Sequence, residues 1–142
     1  MTRVFLDANV LFSATLTANG VARAIFNVAR KRSDIRLHSS TYALEEARLN
    51  LKRKAPEALS ELRNLLATVT ILEEPSAALV EQLAPLVPDP RDAHILAGAV
   101  SSGAHVLVTG TTKDFRELYG TRVRSTLVLR PREALDLLLP EG

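Results

Sequence analysis

The sequence predicts an α/β fold with a central parallel sheet of about five strands, flanked by helices. Two observations carry this prediction. Short apolar runs alternate along the chain with segments whose apolar residues recur at helical spacing. Ser, Asp, Pro and Gly stand at the junctions, where helix caps and turns need them. Strands separated by helices imply parallel pairing, because parallel neighbours require crossover connections, and the crossover helices then cover both faces of the sheet.

The elements follow in order. Arg3–Leu6 is the first apolar run, and a helical pattern starts at about Ala8. Between Val21 and Arg32, apolar residues at positions 21, 25, 28 and 29 mark a helix. Ile35–Leu37 reads as the second strand, after which Ser39, Ser40 or Thr41 is placed to cap a helix running to about Lys54. Pro56 opens another helix to about Ala67, since Pro is tolerated in a first helical turn. Val69–Leu72 is the third strand, and Ser76 opens a short helix ending near Pro85 and Pro88. Asp89-Pro90-Arg91-Asp92 opens the next helix, with Ala93, Leu96, Ala97 and Val100 on one face and Gly103 at its end. His105–Thr109 is the fourth strand, and Lys113–Tyr119 is predicted helical. Thr126–Leu129 is the fifth strand, and Pro131 starts a terminal helix through Leu139.

A chain of 142 residues, 46% of them hydrophobic, fits one domain (1–142) with a sizeable core. It has no cysteine, which excludes disulfides, thiolate metal sites and cysteine nucleophiles, and suits a reducing compartment. The first residues lack a signal-peptide pattern, and no apolar run approaches the roughly 18 residues of a membrane span. The expectation is a soluble, cytoplasmic protein with no membrane association. Net charge is +2, from 18 Lys+Arg against 16 Asp+Glu, so the balance alone does not announce a nucleic-acid binder. The basic residues come in bunches: Arg30-Lys31-Arg32, Arg48 with Lys52-Arg53-Lys54, and Arg122, Arg124, Arg130 and Arg132. Any one bunch suits a solvated helix face, whereas several around an acidic site would suit a phosphate backbone. With no Trp, two Tyr and four Phe, stacking of bases on an aromatic platform is not the obvious binding mode.

In open parallel sheets, ligands bind beyond the carboxyl ends of the strands, where the strand order reverses. Functional residues should therefore follow strands one and four and occupy nearby helix starts. Asp7, directly after Leu6, suits two roles: N-cap of the next helix, or metal ligand held on rigid backbone. Asn9 can orient a carboxylate or cap the same helix. Asp89 is a natural N-cap with Pro90 behind it, and Asp92 suits the positive end of the helix dipole. Asp92 also shares a helical side with Leu96 and Ala99, which turns it towards packed neighbours. Asp114 follows strand four and suits a helix start or a site. Glu45 and Glu46 are adjacent on a helix, so at most one points into a given site, and Glu46 lies nearer the side defined by Ala43, Leu44, Ala47 and Leu51.

Clustered carboxylates repel one another unless a cation compensates. Mg²⁺ or Mn²⁺ supplies that charge, and hydrolysis of a phosphodiester is the chemistry such a site performs. Rival chemistries lack their residues. No Gly-rich phosphate loop occurs, and His38, His94 and His105 show no metal-ligand spacing. His94, beside the acidic helix start, is the histidine placed to touch a substrate.

The set as a whole resembles the PIN-domain family, particularly the VapC-like ribonuclease toxins of type II toxin–antitoxin systems. The matching stretches are Val4–Leu11 (VFLDANVL), Tyr42–Ala47 (YALEEA), Asp89–Ala97 (DPRDAHILA) and Val106–Phe115 (VLVTGTTKDF). Each is of modest specificity alone; their order and spacing make them specific together. The resemblance implies a three-layer PIN-like fold, Mg²⁺ or Mn²⁺ held by three or four acidic residues, and endonucleolytic cleavage of RNA. By position, Asp7 matches the first acid, Glu46 the helix acid and Asp92 the third. Thr111 stands where the family often has Asp or Asn. Asp114, three residues on, is the replacement ligand or binds through water; a three-carboxylate site is the alternative, and Asp89 is a further possible ligand. Asn9, Thr109 and Thr111 are expected to orient the substrate. Proteins of this kind usually dimerise and are silenced by a small antitoxin whose tail occupies the active-site groove. The alternatives are a degenerate PIN-fold module that binds RNA or protein, and a structure-specific DNA nuclease.

Overall fold

A computed structural model describes residues 1–111 and 113–139. The strands are β1 (Thr2–Leu6), β2 (Ile35–Ser40), β3 (Val69–Leu72), β4 (Val106–Val108), β5 (Arg122–Val123) and β6 (Thr126–Leu129). The helices are α1 (Ala8–Leu16), α2 (Val21–Arg30), α3 (Thr41–Lys54), α4 (Leu59–Leu66), α5 (Ala77–Leu83), α6 (Pro90–Ser101) and α7 (Pro131–Leu138). The strands form one sheet in the order β3-β2-β1-β4-β6-β5. Every pairing is parallel except β5 with β6.

The central strands are apolar because helices cover both of their faces. Val4, Phe5 and Leu6 of β1 and Leu107 and Val108 of β4 are fully buried. On one face α6 comes close to β1, which its small residues permit: a Cβ on Gly98 would lie 3.2 Å from the Phe5 ring. This approach sets the depth at which the start of α6 meets the sheet. Among the three residues expected to cap α3, Ser40 does so, accepting from the Ala43 amide at 3.1 Å. Ser39 instead donates to the Leu6 carbonyl at 2.8 Å, tying the ends of β2 and β1 together.

The expected parallel sheet is present, with one short strand added where Arg122–Val123 folds back on β6 across Arg124-Ser125. That short turn needs a left-handed residue, which Arg124 supplies at φ 55°. Lys113–Tyr119 forms turns instead of a helix. There, tertiary contacts outweigh the local helical pattern. Phe115 is fully buried, and the Tyr119 hydroxyl donates to the carbonyls of Thr109 and Thr111, so the chain is fixed by its side chains. The segment from Pro56 also opens as a 3₁₀ turn before α4 takes over at Leu59. No helix among the described residues is long and apolar enough to cross a membrane.

Candidate active site

The strand order reverses between β2-β1 and β4-β6, and β1 releases Asp7 at the carboxyl edge of that switch point. Asp7 is buried, and both of its carboxylate oxygens are bonded. Its Oδ1 accepts from the Ala8 amide at 2.6 Å, capping α1. Its Oδ2 accepts from the Thr109 hydroxyl at 2.8 Å. Asn9 brackets Thr109 in turn: its amide nitrogen donates to Thr109 Oγ1 at 3.4 Å, and its oxygen accepts from the Gly110 amide at 2.9 Å. Asp7, Asn9 and Thr109 thus form one hydrogen-bonded unit across β1 and β4. Burial pushes the Asp7 carboxyl up to about 6; the bonds from Thr109 and Ala8 oppose the rise, and the charges of Glu46 and Asp114 add to it.

The start of α6 brings two more acids. Asp89 is its N-cap, accepting from the Arg91 amide at 2.9 Å, with Pro90 in the first turn. The Arg91 guanidinium also pairs with Asp89 at 2.8 Å and holds its carboxyl below the usual carboxylate range. Asp92, only 8% exposed, points inward, and its Oδ2 has no hydrogen-bond partner among the described residues. Burial first, then the close approach and charge of the Asp114 carboxyl and the charges of Asp7 and Asp89, push Asp92 up to about 8.

Carboxylate oxygens of Asp89, Asp92 and Asp114 lie within 4.8 Å of one another. Asp7 and Glu46 stand outside that close set but line the same cavity of about 300 Å³. Asp89, a secondary choice by sequence, is therefore geometrically nearer to Asp92 and Asp114 than Glu46 is. Glu46 lines the cavity, whereas the exposed Glu45 pairs with Arg48 at 2.8 Å. Thr111 also lines it, and its buried hydroxyl has no partner among the described residues. His94 lies outside this cavity, stacked on Tyr42 in the neighbouring groove.

Sequence reasoning missed Phe12, Asn50, Lys54 and Arg91, which complete the lining. A signal existed for two of them: Glu46, Asn50 and Lys54 recur every four residues and so share one face of α3. A larger cavity of about 590 Å³ lies at the amino end of β2, with Arg30, Lys31, Arg32 and Arg36 in its lining. It is lined by no carboxylate and lies away from the switch point, so it lacks the oxygen donors of the smaller, acidic cavity.

The donor set is hard oxygen throughout, one buried carboxylate oxygen is unpartnered, and two acids are raised by mutual repulsion and burial. A divalent cation meets all three conditions. A doubly wound sheet with such a carboxylate cavity at its switch point defines the class of domain. The chain belongs to the PIN domain family, whose model matches residues 3–113. No curated protein matches it in sequence.

Solved structures share the fold. A chain of the VapBC2 complex from Rickettsia felis, bound to a DNA fragment from its promoter, is 18% identical with a TM-score of 0.70; the match covers 91% of this chain and 98% of that one. A chain of DNA-bound VapBC from Salmonella typhimurium is 20% identical with a TM-score of 0.69, over 92% of this chain and 99% of that one. The Mycobacterium tuberculosis toxin VapC20, described as cleaving the sarcin–ricin loop, is 15% identical with a TM-score of 0.54, over 73% of this chain and 86% of that one.

Proposed function

We propose that this protein is a Mg²⁺- or Mn²⁺-dependent endoribonuclease acting in the cytoplasm as the toxin of a toxin–antitoxin pair, with residues 1–142 as one domain. The observation that carries the reading is the unpartnered, buried Oδ2 of Asp92 beside Asp89 and Asp114. We assign Asp7, Glu46, Asp92 and Asp114 to the cation, with Asp89 as an additional ligand, and Asn9, Thr109 and Thr111 to orientation. A divalent cation bound there would lower the pKa of a water and stabilise charge on a phosphodiester. The chain itself supplies rigidity and entry. Thr109, steadied by Asn9, holds Asp7 in place, and Lys54 and Arg91 place positive charge on a cavity that also carries the carboxylates of Asp7, Glu46, Asp89, Asp92 and Asp114.

PIN-domain membership supports a nuclease. The likeness to a toxin that cleaves the sarcin–ricin loop supports RNA as the substrate. The likeness to VapBC complexes supports an antitoxin partner, and homodimerisation is the assembly that the resemblance implies.

The test uses the purified chain with end-labelled RNA and Mg²⁺, Mn²⁺ or a chelator. Cleavage that needs the cation and disappears in Asp92→Asn supports the proposal. No cleavage with either ion, together with no relief of growth arrest by Asp92→Asn, overturns it. Calorimetric titration with Mn²⁺ adds a second readout, because a degenerate module would show no specific site.

A further inference from the structure

Beside the acidic cavity lies a second groove of about 660 Å³, beyond the carboxyl ends of β2 and β3. The two share Glu46, Asn50 and Arg91, so they form one continuous trough along the carboxyl edge of the sheet. The floor of the second groove is built. Tyr42, at the start of α3, stacks on His94 of α6 with ring centroids 4.2 Å apart and planes at 21°. Glu74, just past β3, holds the tyrosine end: its Oε1 accepts from the Tyr42 amide at 2.9 Å, and its Oε2 lies 3.4 Å from His94 Nδ1 without a hydrogen bond between them. The stacked pair thus joins α3 to α6, with its tyrosine tied to the end of β3.

We infer that this groove is a nucleotide subsite, in which the Tyr42–His94 pair stacks a nucleobase of single-stranded RNA while Arg53 and Arg91 take its phosphate. The inference rests on the ribonuclease reading above and extends it to substrate selection. Three features fit that occupant. The rings offer a flat π surface, which any unpaired base can cover. The half-exposed Leu49 adds an apolar wall, and Arg53 and Arg91 add cations. Two of the groove's carboxylates are already engaged, Glu45 by Arg48 and Glu74 by the Tyr42 amide. Continuity with the acidic cavity puts the stacked base next to the phosphate that would be cut. The scarcity of aromatics in the sequence argued against a stacking platform; the fold makes one from a tyrosine and a histidine 52 positions apart.

The test scans a single abasic nucleotide along a short RNA and measures its binding by anisotropy and its cleavage, with wild type and Tyr42→Leu. The expected result is one position, adjacent to the cleaved bond, where base removal weakens wild-type binding by roughly five- to 150-fold. Tyr42→Leu should lose a similar factor on intact RNA and lose nothing further at that abasic position, while Tyr42→Phe retains the wild-type profile. A purely structural tyrosine would instead weaken binding uniformly along the scan, which overturns the inference. So does a flat scan for wild type, even if cleavage is normal; the ribonuclease reading would then stand without the subsite. Position-specific binding with no cleavage under any cation does the reverse. If Tyr42→Leu leaves RNA binding intact but abolishes association with a co-expressed antitoxin, the groove belongs to a protein partner and the inference falls.

Discussion

The Thr109 hydroxyl donates to Asp7 Oδ2 at 2.8 Å, joining the carboxyl ends of β4 and β1 at the point where the strand order reverses. Both residues are buried, so this bond fixes where one acid of the cavity stands. Removing the hydroxyl leaves only the Ala8 amide bond to oppose the burial of the carboxylate. Thr109→Val should destabilise the protein by about 1–3 kcal/mol, the cost of stranding a buried polar group. It should also slow RNA cleavage, and Thr109→Ser should restore both. Chemical denaturation and single-turnover cleavage read the two effects.

The raised acids make the cation-free protein sensitive to pH. Asp92 has an ordinary value of 3.8 and stands at about 8 in the fold, and Asp7 rises from 3.8 to about 6. Between these limits the folded state binds more protons than the unfolded chain. The stability these groups contribute is therefore full below about pH 4 and is lost as pH rises through 6 and then 8. With chelator present, the unfolding free energy should fall by about 1–3 kcal/mol between pH 5 and pH 8, allowing for partial solvent screening. Asp92→Asn should flatten the upper part of that profile and raise stability at pH 8. Divalent cation should stabilise the wild type most at the alkaline end, because it competes with protons for the same oxygens. Urea titrations across pH, with and without Mn²⁺, test all three statements.

Glu45 and Glu46 give a neighbouring-residue control. Glu46 lines the cavity outside the close set of Asp89, Asp92 and Asp114, so it is expected to act as an outer partner of a cation held there. Loss of such an outer partner costs about 10- to 100-fold in metal affinity or activity, and that is the expected effect of Glu46→Gln. Glu45→Gln removes an exposed pair with Arg48 outside the acidic cavity and should change neither Mn²⁺ affinity nor melting temperature appreciably.

Gly98 sets the depth of α6 rather than its chemistry. A Cβ there meets the Phe5 ring at 3.2 Å, so Gly98→Ala should be near neutral: the gain of about 1 kcal/mol in helix propensity offsets a small shift of the ring. Gly98→Val overpacks the same contact and should cost about 1–3 kcal/mol. It should also reduce cleavage, because Asp89 and Asp92 sit at the start of the displaced helix. Thermal melts paired with cleavage rates distinguish the two substitutions.

Asp7 and Asp92 were legible because each lies where a parallel sheet puts its ligands, one after a strand and one at a helix start. Glu46 was favoured over Glu45 by helical angle only by a modest margin, and the family resemblance made the choice. Asn50 and Lys54 share that face by their spacing, but a spacing of four does not say which cavity a face meets. The Lys113–Tyr119 turn went the other way. Its local pattern suits a helix, and the burial of Phe115 and the Tyr119 hydroxyl bonds overrode it.

The sequence by itself determined the alternation of strands and helices, the caps at Ser76 and Asp89, and the carboxylates at the switch point; it left the α3 cap open among Ser39, Ser40 and Thr41. These depend on periodicity and local hydrogen bonding, which act over a few residues. Only the tertiary structure decided that Asp89 joins Asp92 and Asp114, that Thr109 anchors Asp7, and that Tyr42 meets His94. Those contacts join residues up to 102 positions apart, and the sheet order and close seat of α6 on β1 bring them together.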